Sequence, residues 1–376
     1  MVSEKVSVII FEGGQTRSAV EEFMVKVRQA VVLDNIEKMK KVPVLDDIRL
    51  YTNYQDLAEK AAALGIDVTW RPRVRDFHFG KRLAGLVDKY RLHNVFYMGG
   101  AACPLIRPED LAFVGETLKR EKNVVIVNNV QSPDMVAWSP GEAIKHIEPP
   151  EADNSLGYLL RKHGLRRVLI PNSAWINFDL DTPTDLMILA RHPRAGQRTA
   201  SELAKAGFDY TRLDALKGLL ATKNSEIGMY GRVGPVIMNW LNMHFMVRLR
   251  VFSEERGMKA LGRLDRGEVT SLIGHFIDAV GFEKFFDYVA QVCDVMLFDT
   301  RVLFAHWKRE VSENDRFNAD IYRLSEIRDP QVRDFTQAAM ECRVPVLLGG
   351  HSLVSGGLWA LGEQIVAEQG RQSKPL

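Results

Sequence analysis

The sequence contains few cysteines, and they show no pattern that would bind a metal or build a disulfide framework. The three that are present, Cys103, Cys293 and Cys342, lie far apart, form no Cys-x-x-Cys pair and are odd in number. The histidines of the C-terminal half also lack the short spacing of a zinc motif. We therefore expect reduced thiols and predict no zinc site.

Neither sign of charge dominates, and no long apolar segment is present. The 50 Lys and Arg residues are nearly balanced by 48 Asp and Glu residues, and a net charge of +2 is too small for a general nucleic-acid binder. No run of 18 apolar residues occurs, and Glu4 and Lys5 interrupt the first apolar stretch. We expect a soluble, cytoplasmic protein that binds neither nucleic acid nor membranes. Its oligomeric state stays open, and a homo-oligomer is compatible with the sequence.

Length and composition indicate a globular protein with two domains. The chain has 376 residues, of which 46% are hydrophobic and 26% are charged, and a domain has about 150 residues. The apolar periodicity stops at Arg191–Arg198, and a second polar stretch covers Thr222–Gly234. We therefore predict a first domain over residues 1–192, a linker over 193–234 and a second domain over 235–376.

The first domain shows a regular alternation of strand and helix patterns. Val6–Phe11 is a continuous, β-branched apolar run, which is typical of a strand covered on both faces. Helical spacing of apolar residues follows from Val20 to Lys41, and strands and helices alternate up to Pro171. This order predicts an α/β fold with a mostly parallel, doubly wound sheet. The segments beyond Pro235 are longer and mostly helical, so we predict an α-rich second domain.

A short glycine loop, Glu12–Arg17, follows the first strand and could bind phosphate. The backbone N–H groups of Gly13 and Gly14 can approach an anion closely, and the start of the next helix favours negative charge. Arg17 or Lys26 could hold phosphate oxygens. The loop is neither a Walker loop nor a Gly-x-Gly-x-x-Gly motif, so a plain tight turn with solvated cations is the alternative.

A second motif, Asp-x-Asp-Thr-Pro-x-Asp-Leu, covers Asp179–Leu186 at the end of the first domain. Asp179 and Asp181 are two residues apart, so in an extended segment their carboxylates share one face. Such a pair could hold a hard divalent cation that bridges phosphate oxygens. The residues from Thr182 to Asp185 also suit the start of a helix, so a cluster of capping residues is the alternative.

Together the two motifs resemble those of the GT-A-like nucleotidyltransferase superfamily. This group includes the molybdenum-cofactor guanylyltransferase-like and phospholactate guanylyltransferase-like enzymes and their glycosyltransferase relatives. The resemblance covers about residues 5–190. Gly13, Gly14 and Arg17 match the first loop of the family, and the segment Asp179–Leu186 matches its last motif. The resemblance implies a GT-A-like, nucleotide-binding first domain.

The resemblance also implies the ligands and the residues that would bind them. The ligands are a nucleotide, a small-molecule acceptor and Mg²⁺ or Mn²⁺. The nucleotide contacts would be Gly13, Gly14, Arg17 and Gly100. Two cations, Arg17 and Lys26, would hold the triphosphate, and two carboxylates, Asp179 and Asp181, would hold the metal ion.

The middle motif of the family is altered in this sequence. The segment Gly99–Leu105 keeps the glycine, the proline and the leucine, but Ala102 or its neighbour stands where the family has a metal-binding aspartate. One interpretation is that another carboxylate, Asp134, Asp179 or Asp181, takes the metal. The other is that this domain binds a nucleotide or a sugar nucleotide without transferring it.

The second domain contains polar clusters that resemble no family motif. We predict that six of these residues select the acceptor: Glu254, Arg256, Arg301, His306, His351 and Ser352. His351 lies in a strand, glycine loop and helix pattern over Val344–Gly357, and it could act as a hydrogen-bond donor or as a general acid or base. The alternative is a structural turn in which His351 packs against its neighbours.

The hypothesis that joins these motifs is nucleotidyl transfer. A phosphate or hydroxyl of the acceptor would attack the α-phosphorus of an NTP, and pyrophosphate would leave. Arg17, Lys26 and His351 are the residues that we predict to act in catalysis, through positioning and neutralisation of charge. Three alternatives stay open: a non-catalytic nucleotide- or metabolite-binding protein, a glycosyltransferase that uses a nucleotide sugar, and chemistry that resides in the C-terminal domain alone.

Overall fold

The computed structural model describes residues 5–72, 77–130, 132–259 and 261–370 of the chain. Contacts divide these residues into two compact units. Unit 1 contains residues 5–15, 28–177 and 196–199, and unit 2 contains residues 16–27, 178–195 and 200–370. No helix within the described ranges is both long enough and apolar enough to cross a membrane.

The described residues form strands and helices with the following bounds. The strands are β1 (Val6–Glu12), β2 (Leu45–Thr52), β3 (Asp67–Trp70), β4 (Asn94–Gly99), β5 (Val124–Val127), β6 (Met135–Ser139), β7 (Arg166–Leu169), β8 (Glu226–Gly231), β9 (Arg248–Ser253), β10 (Val295–Asp299) and β11 (Val346–Gly349). The helices are α1 (Ala19–Lys40), α2 (Gln55–Ala63), α3 (Phe79–Lys89), α4 (Pro108–Arg120), α5 (Leu156–Lys162), α6 (Ala174–Asn177), α7 (Pro183–Ala190), α8 (Gln197–Leu203), α9 (Thr211–Ala221), α10 (Pro235–His244), α11 (Leu272–Val280), α12 (Phe282–Val292), α13 (Thr300–His306), α14 (Glu313–Asp320), α15 (Pro330–Glu341) and α16 (Gly356–Glu368).

Unit 1 is built on a seven-stranded sheet in the order β3-β2-β1-β4-β6-β5-β7. Neighbouring strands are parallel except at β6, which runs antiparallel to β4 and β5. β1 is buried along most of its length because both faces of the sheet are covered. Val8 and Ile10 belong to one core cluster with Ile36 of α1, and Ile9 belongs to another with Leu83 of α3. The predicted α/β fold with a mostly parallel sheet is confirmed.

The order of strands in unit 1 reverses next to β1. The chain moves outwards from β1 to β2 and β3, and it then adds β4 on the other side of β1. In open α/β sheets, ligands bind outside the carboxyl ends of the strands at such a reversal. The segments Glu12–Gly14 and Gly99–Gly100 lie at this place.

Unit 2 combines most of the later helices with a second sheet, which has four parallel strands in the order β11-β10-β8-β9. The chain goes from β8 outwards to β9 and then adds β10 and β11 on the other side, so this sheet reverses between β8 and β10. Phe298 of β10 packs against Phe285 of α12 and Phe335 of α15. Leu297 and Leu347, which point to the opposite face, are buried as well. Helices therefore cover both faces of this sheet.

The division into units differs from the predicted domains. The segment 193–234, predicted as a linker, contains α8, α9 and β8, and β8 is an inner strand of the second sheet. The segment 178–195, predicted to close the first domain, belongs to unit 2. β8 was not predicted from the sequence. Gly228 and Gly231 are two of its six residues, so the apolar run that remains is too short to indicate a strand.

A buried carboxylate holds residues 196–199 in unit 1. Asp34 of α1 accepts hydrogen bonds from the Thr199 N–H (2.9 Å), the Thr199 hydroxyl (2.7 Å) and the Arg198 N–H (3.3 Å). Gly196 lies against the same carboxylate, where a Cβ would collide with Asp34. Asp34 thus satisfies backbone groups at the start of α8. These bonds order a stretch whose composition indicated a linker.

Candidate functional site

The glycine loop after β1 is tied to Asn53, the residue that follows β2. The Gly14 N–H donates to Asn53 Oδ1 (3.0 Å), and Asn53 Nδ2 donates to the Gly14 carbonyl (2.9 Å). A Cβ on Gly13 would lie only 2.5 Å from Asn53 Oδ1, so the close approach requires glycine there. The Gly14 N–H predicted to bind phosphate is therefore already hydrogen-bonded within unit 1.

The Glu12 carboxylate fills the space next to Gly100. Its side chain is 1% exposed and pairs with Arg28 of α1, with Nε to Oε1 and Nη2 to Oε2 both at 3.1 Å. A Cβ on Gly100 would collide with this carboxylate. The Glu12 side chain thus occupies the space beside Gly100, where the sequence predicted a contact with a nucleotide.

The altered middle motif forms a loop that two side chains of α1 hold in place. Ala101 and Ala102 are buried, and Asn35 Nδ2 donates to the Ala102 carbonyl (3.3 Å). Lys38 Nζ donates to the Pro104 carbonyl (2.8 Å), and burial lowers the pKa of Lys38 to about 8. These alanines provide no side-chain oxygen for a metal ion.

Two other aspartates approach the end of β4. Asp134, an alternative metal ligand in the sequence, contributes its backbone carbonyl, which accepts from the Gly99 N–H (3.0 Å). Asp153 Oδ2 accepts from the hydroxyl of the buried Tyr97 (3.0 Å). Burial raises the pKa of Tyr97, and the Asp153 carboxylate raises it further. The Asp153 carboxylate is therefore held by a tyrosine that stays protonated.

The motif Asp179–Leu186 belongs to unit 2, and its second half starts helix α7. Asp185 Oδ2 accepts hydrogen bonds from the Asp181 N–H (3.0 Å), the Thr182 N–H (2.8 Å) and the Thr182 hydroxyl (2.9 Å). Burial raises the pKa of Asp185, and the nearby Asp181 carboxylate also raises it. Thr182 and Asp185 thus form a capping box, which is the alternative that the sequence left open for this part of the motif.

The first two carboxylates of the motif face away from the core of unit 2. Phe178 and Leu180 are buried, whereas Asp181 is exposed. Asp179 is partly exposed, which completes the alternation of an extended segment. Two carboxylates on one outer face suit Mg²⁺, because this ion binds one or two protein carboxylates together with substrate phosphates.

Helix α7 starts against the carboxyl end of β11. The Thr184 hydroxyl donates to the Leu348 carbonyl at 2.5 Å. Gly350, just after β11, lies so close to Thr182 that a Cβ would be 2.8 Å from its Cγ2. The motif Asp179–Leu186 therefore stands at the edge of the second sheet where β8, β10 and β11 end.

A buried ion pair joins the ends of β8 and β10, where the second sheet reverses. Arg232 follows β8 directly and donates from Nε to Asp299 Oδ2 (2.6 Å) and from Nη2 to Oδ1 (3.0 Å). Asp299 is the last residue of β10 and is 0% exposed. Burial alone would raise the pKa of Asp299, but Arg232 outweighs burial and holds this pKa below its ordinary value. Asp299 is therefore ionised, and the two charges cancel.

Gly231 allows this pair to form. Its φ of +112° lies in a region that side-chain-bearing residues rarely adopt, and a Cβ there would collide with Asp299. The loop that follows is also fixed, because the Ser253 hydroxyl donates to the Val233 carbonyl (2.7 Å). The position of the Arg232 side chain is thus set by the backbone on both sides of it.

His351, in the turn after β11, has an imidazole that makes no hydrogen bond to a residue in the described part of the chain. Burial lowers the pKa of His351 to about 4, and the Arg232 and Arg256 guanidinium groups act in the same direction. The Asp299 and Asp181 carboxylates oppose this shift. His351 is therefore neutral at physiological pH and close enough to these four groups to sense their charges.

Two buried polar atoms near this edge have no partner among the described residues. They are the hydroxyl of Ser352, which is 3% exposed, and Oδ1 of Asp185. Buried polar atoms normally form hydrogen bonds, so both atoms mark places that a ligand or an ordered water molecule completes. The charged and titratable residues of this edge are called the edge cluster below: Asp181, Arg232, Arg256, Asp299 and His351.

Two of the residues predicted to bind the acceptor have structural partners. Glu254 accepts hydrogen bonds from the Ser271 hydroxyl (2.6 Å) and the Leu272 N–H (2.9 Å), at the start of α11. Arg301 donates to both carboxylate oxygens of the buried Asp320, at 3.0 and 2.6 Å. Both side chains thus stabilise the fold of unit 2, and their role in binding the acceptor stays a prediction.

His306, also predicted to bind the acceptor, is held between two groups. Its Nδ1 accepts from the Ser271 N–H (3.1 Å), so the neutral ring carries its proton on Nε2, next to Asp278 Oδ2 (3.1 Å). Within the described ranges, His275, Asp278 and His306 form the one group of three that could hold a metal. A metal ion bound at Nε2 would displace the proton from that atom. A neutral imidazole ligand then carries its proton on Nδ1, but Nδ1 of His306 accepts the Ser271 N–H and so cannot carry one. This arrangement does not suit a metal ion.

The remaining predicted residues fall into different units. Arg17 and Lys26 are exposed and belong to unit 2, and the Arg17 N–H donates to Glu21 Oε2 (2.8 Å) at the start of α1. Gly13, Gly14 and Gly100 belong to unit 1. The role of these glycines as nucleotide contacts stays a prediction.

The sequence also contained a signal for the loop after β8 that the prediction did not use. Arg232 lies between Gly231 and Gly234, and Pro235 is the first residue of α10. A glycine loop followed by proline at the first helical position is a typical strand-to-helix connection. Because the segment 193–234 was predicted as a linker, Arg232 was missed.

No family model and no curated protein matches the sequence. Among solved structures, the chain is similar to a nucleotidyl transferase from Methanothermobacter, with 13% identity over 49% of this chain and 95% of that chain and a TM-score of 0.39. It is also similar to a cytidylyltransferase from Leptospira borgpetersenii, with 18% identity over 49% of this chain and 84% of that one and a TM-score of 0.38.

A third similar structure is 4-diphosphocytidyl-2C-methyl-D-erythritol synthase from Anaerococcus prevotii, with 14% identity over 50% of this chain and 95% of that chain and a TM-score of 0.34. At these identities and TM-scores the likenesses assign no function to this chain. The functional conclusion therefore depends on the residues of the two sheet edges.

Proposed function

We propose that the protein is a nucleotidyltransferase whose reaction takes place at the edge cluster of unit 2. One observation supports this most strongly: the neutral His351, without a hydrogen-bond partner in the described chain, lies near the exposed Asp181 where a parallel sheet reverses. A neutral imidazole can take a proton from an acceptor hydroxyl. The carboxyl edge at a strand reversal is where open α/β sheets bind their ligands.

In this reaction an acceptor oxygen forms a bond to the α-phosphorus of an NTP. The bond from the α-phosphorus to the oxygen that bridges to the β-phosphate breaks, pyrophosphate leaves, and the proton of the acceptor hydroxyl moves to His351. A pKa of about 4 makes His351 a weak base in the free protein. The negative charge of bound phosphates raises this pKa towards the range in which proton transfer is efficient.

Asp179 and Asp181 would hold Mg²⁺ or Mn²⁺, since both carboxylates face away from the core. Such an ion would supply positive charge that neutralises the transferred phosphate. Asp185 positions this segment, because its carboxylate accepts the Asp181 N–H. Arg17 and Lys26 are exposed cations of the same unit, and their role in holding the triphosphate stays a prediction.

Release of pyrophosphate tests this proposal. The protein is incubated with each NTP, Mg²⁺ and a panel of phosphate and hydroxyl acceptors. We expect His351→Gln to lower kcat by about 10²- to 10⁴-fold, the usual contribution of a general base. The matched control is His146→Gln, which alters an exposed histidine of unit 1 and should not change kcat.

Two results would contradict nucleotidyl transfer at this site. One is the absence of pyrophosphate with every NTP, and the other is full activity of the His351→Gln variant. Release of a nucleoside diphosphate from a nucleotide sugar would instead indicate a glycosyltransferase.

Binding without transfer is a second candidate, because the edge of unit 1 lacks features that transfer at that edge would require. The Gly14 N–H is bonded to Asn53, and the Glu12 carboxylate covers Gly100. Ala102 also provides no metal ligand in the middle motif. Calorimetric binding of a nucleotide, together with no pyrophosphate across the acceptor panel, would support this candidate.

A further inference from the structure

The edge cluster contains one guanidinium group, that of Arg256, which no side chain in the described ranges neutralises. Arg256, in the loop after β9, is exposed and makes no hydrogen bond or ion pair with any residue that the structure describes. Its neighbours in this part of unit 2 are paired, Arg232 with Asp299 and Arg263 with Glu255. Arg256 can therefore bind a ligand without breaking an ion pair.

The Arg256 side chain lies beside the start of helix α10. A Cβ on Gly234, the residue that precedes this helix, would be 3.7 Å from Arg256 Nη2. None of the side chains that the structure describes caps α10, and its first residue, Pro235, has no N–H. The N-terminal end of a helix carries positive potential, so a cation beside it is unfavourable unless an anion lies between them. No described carboxylate pairs with Arg256, so an anionic ligand bound between them would interact favourably with both.

A separate observation also points to a ligand at this edge. The Ser352 hydroxyl is buried and has no partner among the described residues. The turn His351–Val354 that contains it packs on the ends of β8 and β10. The charge of Arg256 acts on His351, the residue next to Ser352. An uncapped helix start, an unpaired cation and an unpartnered buried hydroxyl thus occur around the same strand ends.

The charges of the edge cluster define the class of ligand. The charges of Arg232 and Asp299 cancel each other within their ion pair. Asp181 belongs to the face that would hold the metal ion. The charge that remains is the positive one of Arg256, so the group bound beside it is an anion. Hydroxyl and guanidinium donors together suit the oxygen atoms of a phosphate or a carboxylate.

We infer that Arg256, the start of α10 and Ser352 form a subsite for an oxyanion, the phosphate or carboxylate group of the acceptor. This inference rests on the proposed function, which supplies the acceptor. The acceptor is then an anionic small molecule that also bears a hydroxyl. Its oxyanion binds at Arg256, and its hydroxyl faces His351.

Calorimetric titration of the full chain with inorganic phosphate and with succinate tests the subsite. We expect the wild-type protein to bind at least one of these anions at millimolar concentrations, and the preferred one tells whether the oxyanion is a phosphate or a carboxylate. The variant Arg256→Gln should bind that anion at least about tenfold more weakly, since a charge-assisted hydrogen bond is lost. Ser352→Ala should weaken binding by a smaller factor.

The matched control is Arg248→Gln, which removes the same charge from the opposite end of β9. Arg248 is exposed and pairs with Glu226 at the amino end of the strands, far along the strand from Arg256. This variant should bind the anion as the wild type does. Equal binding by the wild type and Arg256→Gln, or no binding of either anion by the wild type, would overturn the inference.

Failure of the subsite and failure of the proposed function give different results. Binding of the anion through Arg256 without release of pyrophosphate would support the subsite and contradict the proposed transferase function. Release of pyrophosphate by the wild type, together with unchanged binding of the anion by Arg256→Gln, would support the transferase function and contradict the subsite.

Discussion

Arg232 binds the buried carboxylate of Asp299 through hydrogen bonds of 2.6 and 3.0 Å. The pair fixes the ends of β8 and β10, the two strands between which the second sheet reverses. It also places a charge of each sign near His351 without adding net charge. The stability of unit 2 and the electrostatics of its edge cluster therefore depend on the same contact.

Breaking this pair should destabilise the protein strongly. In Asp299→Asn the Arg232 guanidinium keeps its mostly buried position and loses its counter-charge. We expect the free energy of unfolding, measured by urea denaturation, to fall by about 3–5 kcal/mol. Asp56→Asn is the control, because it breaks an exposed ion pair with Lys60 and should change the free energy by less than about 1 kcal/mol. Similar losses in both variants would contradict the structural role of the pair.

Asn53→Ala separates the two sheet edges as sites of nucleotide binding. The variant loses both hydrogen bonds to Gly14, which should lower the free energy of unfolding by about 1–3 kcal/mol. Because we place the nucleotide at unit 2, its Kd from calorimetry should stay the same. A large change in Kd would show that the glycine loop contacts the nucleotide. Gln55→Ala, which alters an exposed side chain of α2, controls for an unspecific effect.

Much of the fold of unit 1 could be predicted because its elements have strong local patterns. β1 reads as an unbroken apolar run, and α4 begins at Pro108 and ends at Arg120, as the spacing of its apolar residues indicates. The strand pattern before Gly349 is visible for the same reason. A strand that is buried on both faces can be recognised in the sequence from a few consecutive apolar residues.

The rest depended on contacts between residues far apart in the chain. β9 reads Arg-Leu-Arg-Val-Phe-Ser and is an edge strand, so its alternating charges did not stand out from the helical pattern before it. The motif after Asp179 was assigned to the first domain, yet Thr184 bonds to Leu348, 164 residues later. Such a contact leaves no trace in local periodicity, and for that reason Arg232 and the edge cluster were not predicted as a unit.

Acid should destabilise the protein through the buried, neutral His192. Burial lowers the pKa of His192 to about 4, whereas in the unfolded chain it is about 6.5. Between pH 6.5 and 4 the unfolded chain therefore binds a proton that the folded chain does not. The free energy of unfolding then falls with decreasing pH, by up to about 1.4 kcal/mol per pH unit for this group.

Urea denaturation at several pH values between 7 and about 4.5 measures this effect. The His192→Gln variant cannot take up the proton, so its free energy of unfolding should depend less on pH than that of the wild type. The control is His163→Gln, which alters an exposed histidine. The same pH dependence in the wild type and in His192→Gln would show that the buried His192 is not responsible.

Thr199→Val tests the attachment of residues 196–199 to unit 1. The variant keeps the shape of the side chain but removes the hydroxyl that donates to Asp34 at 2.7 Å. We expect the free energy of unfolding to fall by about 1–2 kcal/mol, and backbone amides at the start of α8 to exchange faster with deuterium. Thr211→Val, which removes an exposed hydroxyl bonded to Asp209, is the control. Unchanged exchange in α8 would contradict this attachment.

A crystal of the protein soaked with Mn²⁺ and a nucleotide gives the most direct test of where the ligand binds. We expect an anomalous Mn²⁺ peak within coordination distance of the Asp179 and Asp181 carboxylates, with the phosphates extending towards His351. An Mn²⁺ peak and phosphates bound instead at Gly14 and Gly100 of unit 1 would contradict the assignment of the site to the edge cluster.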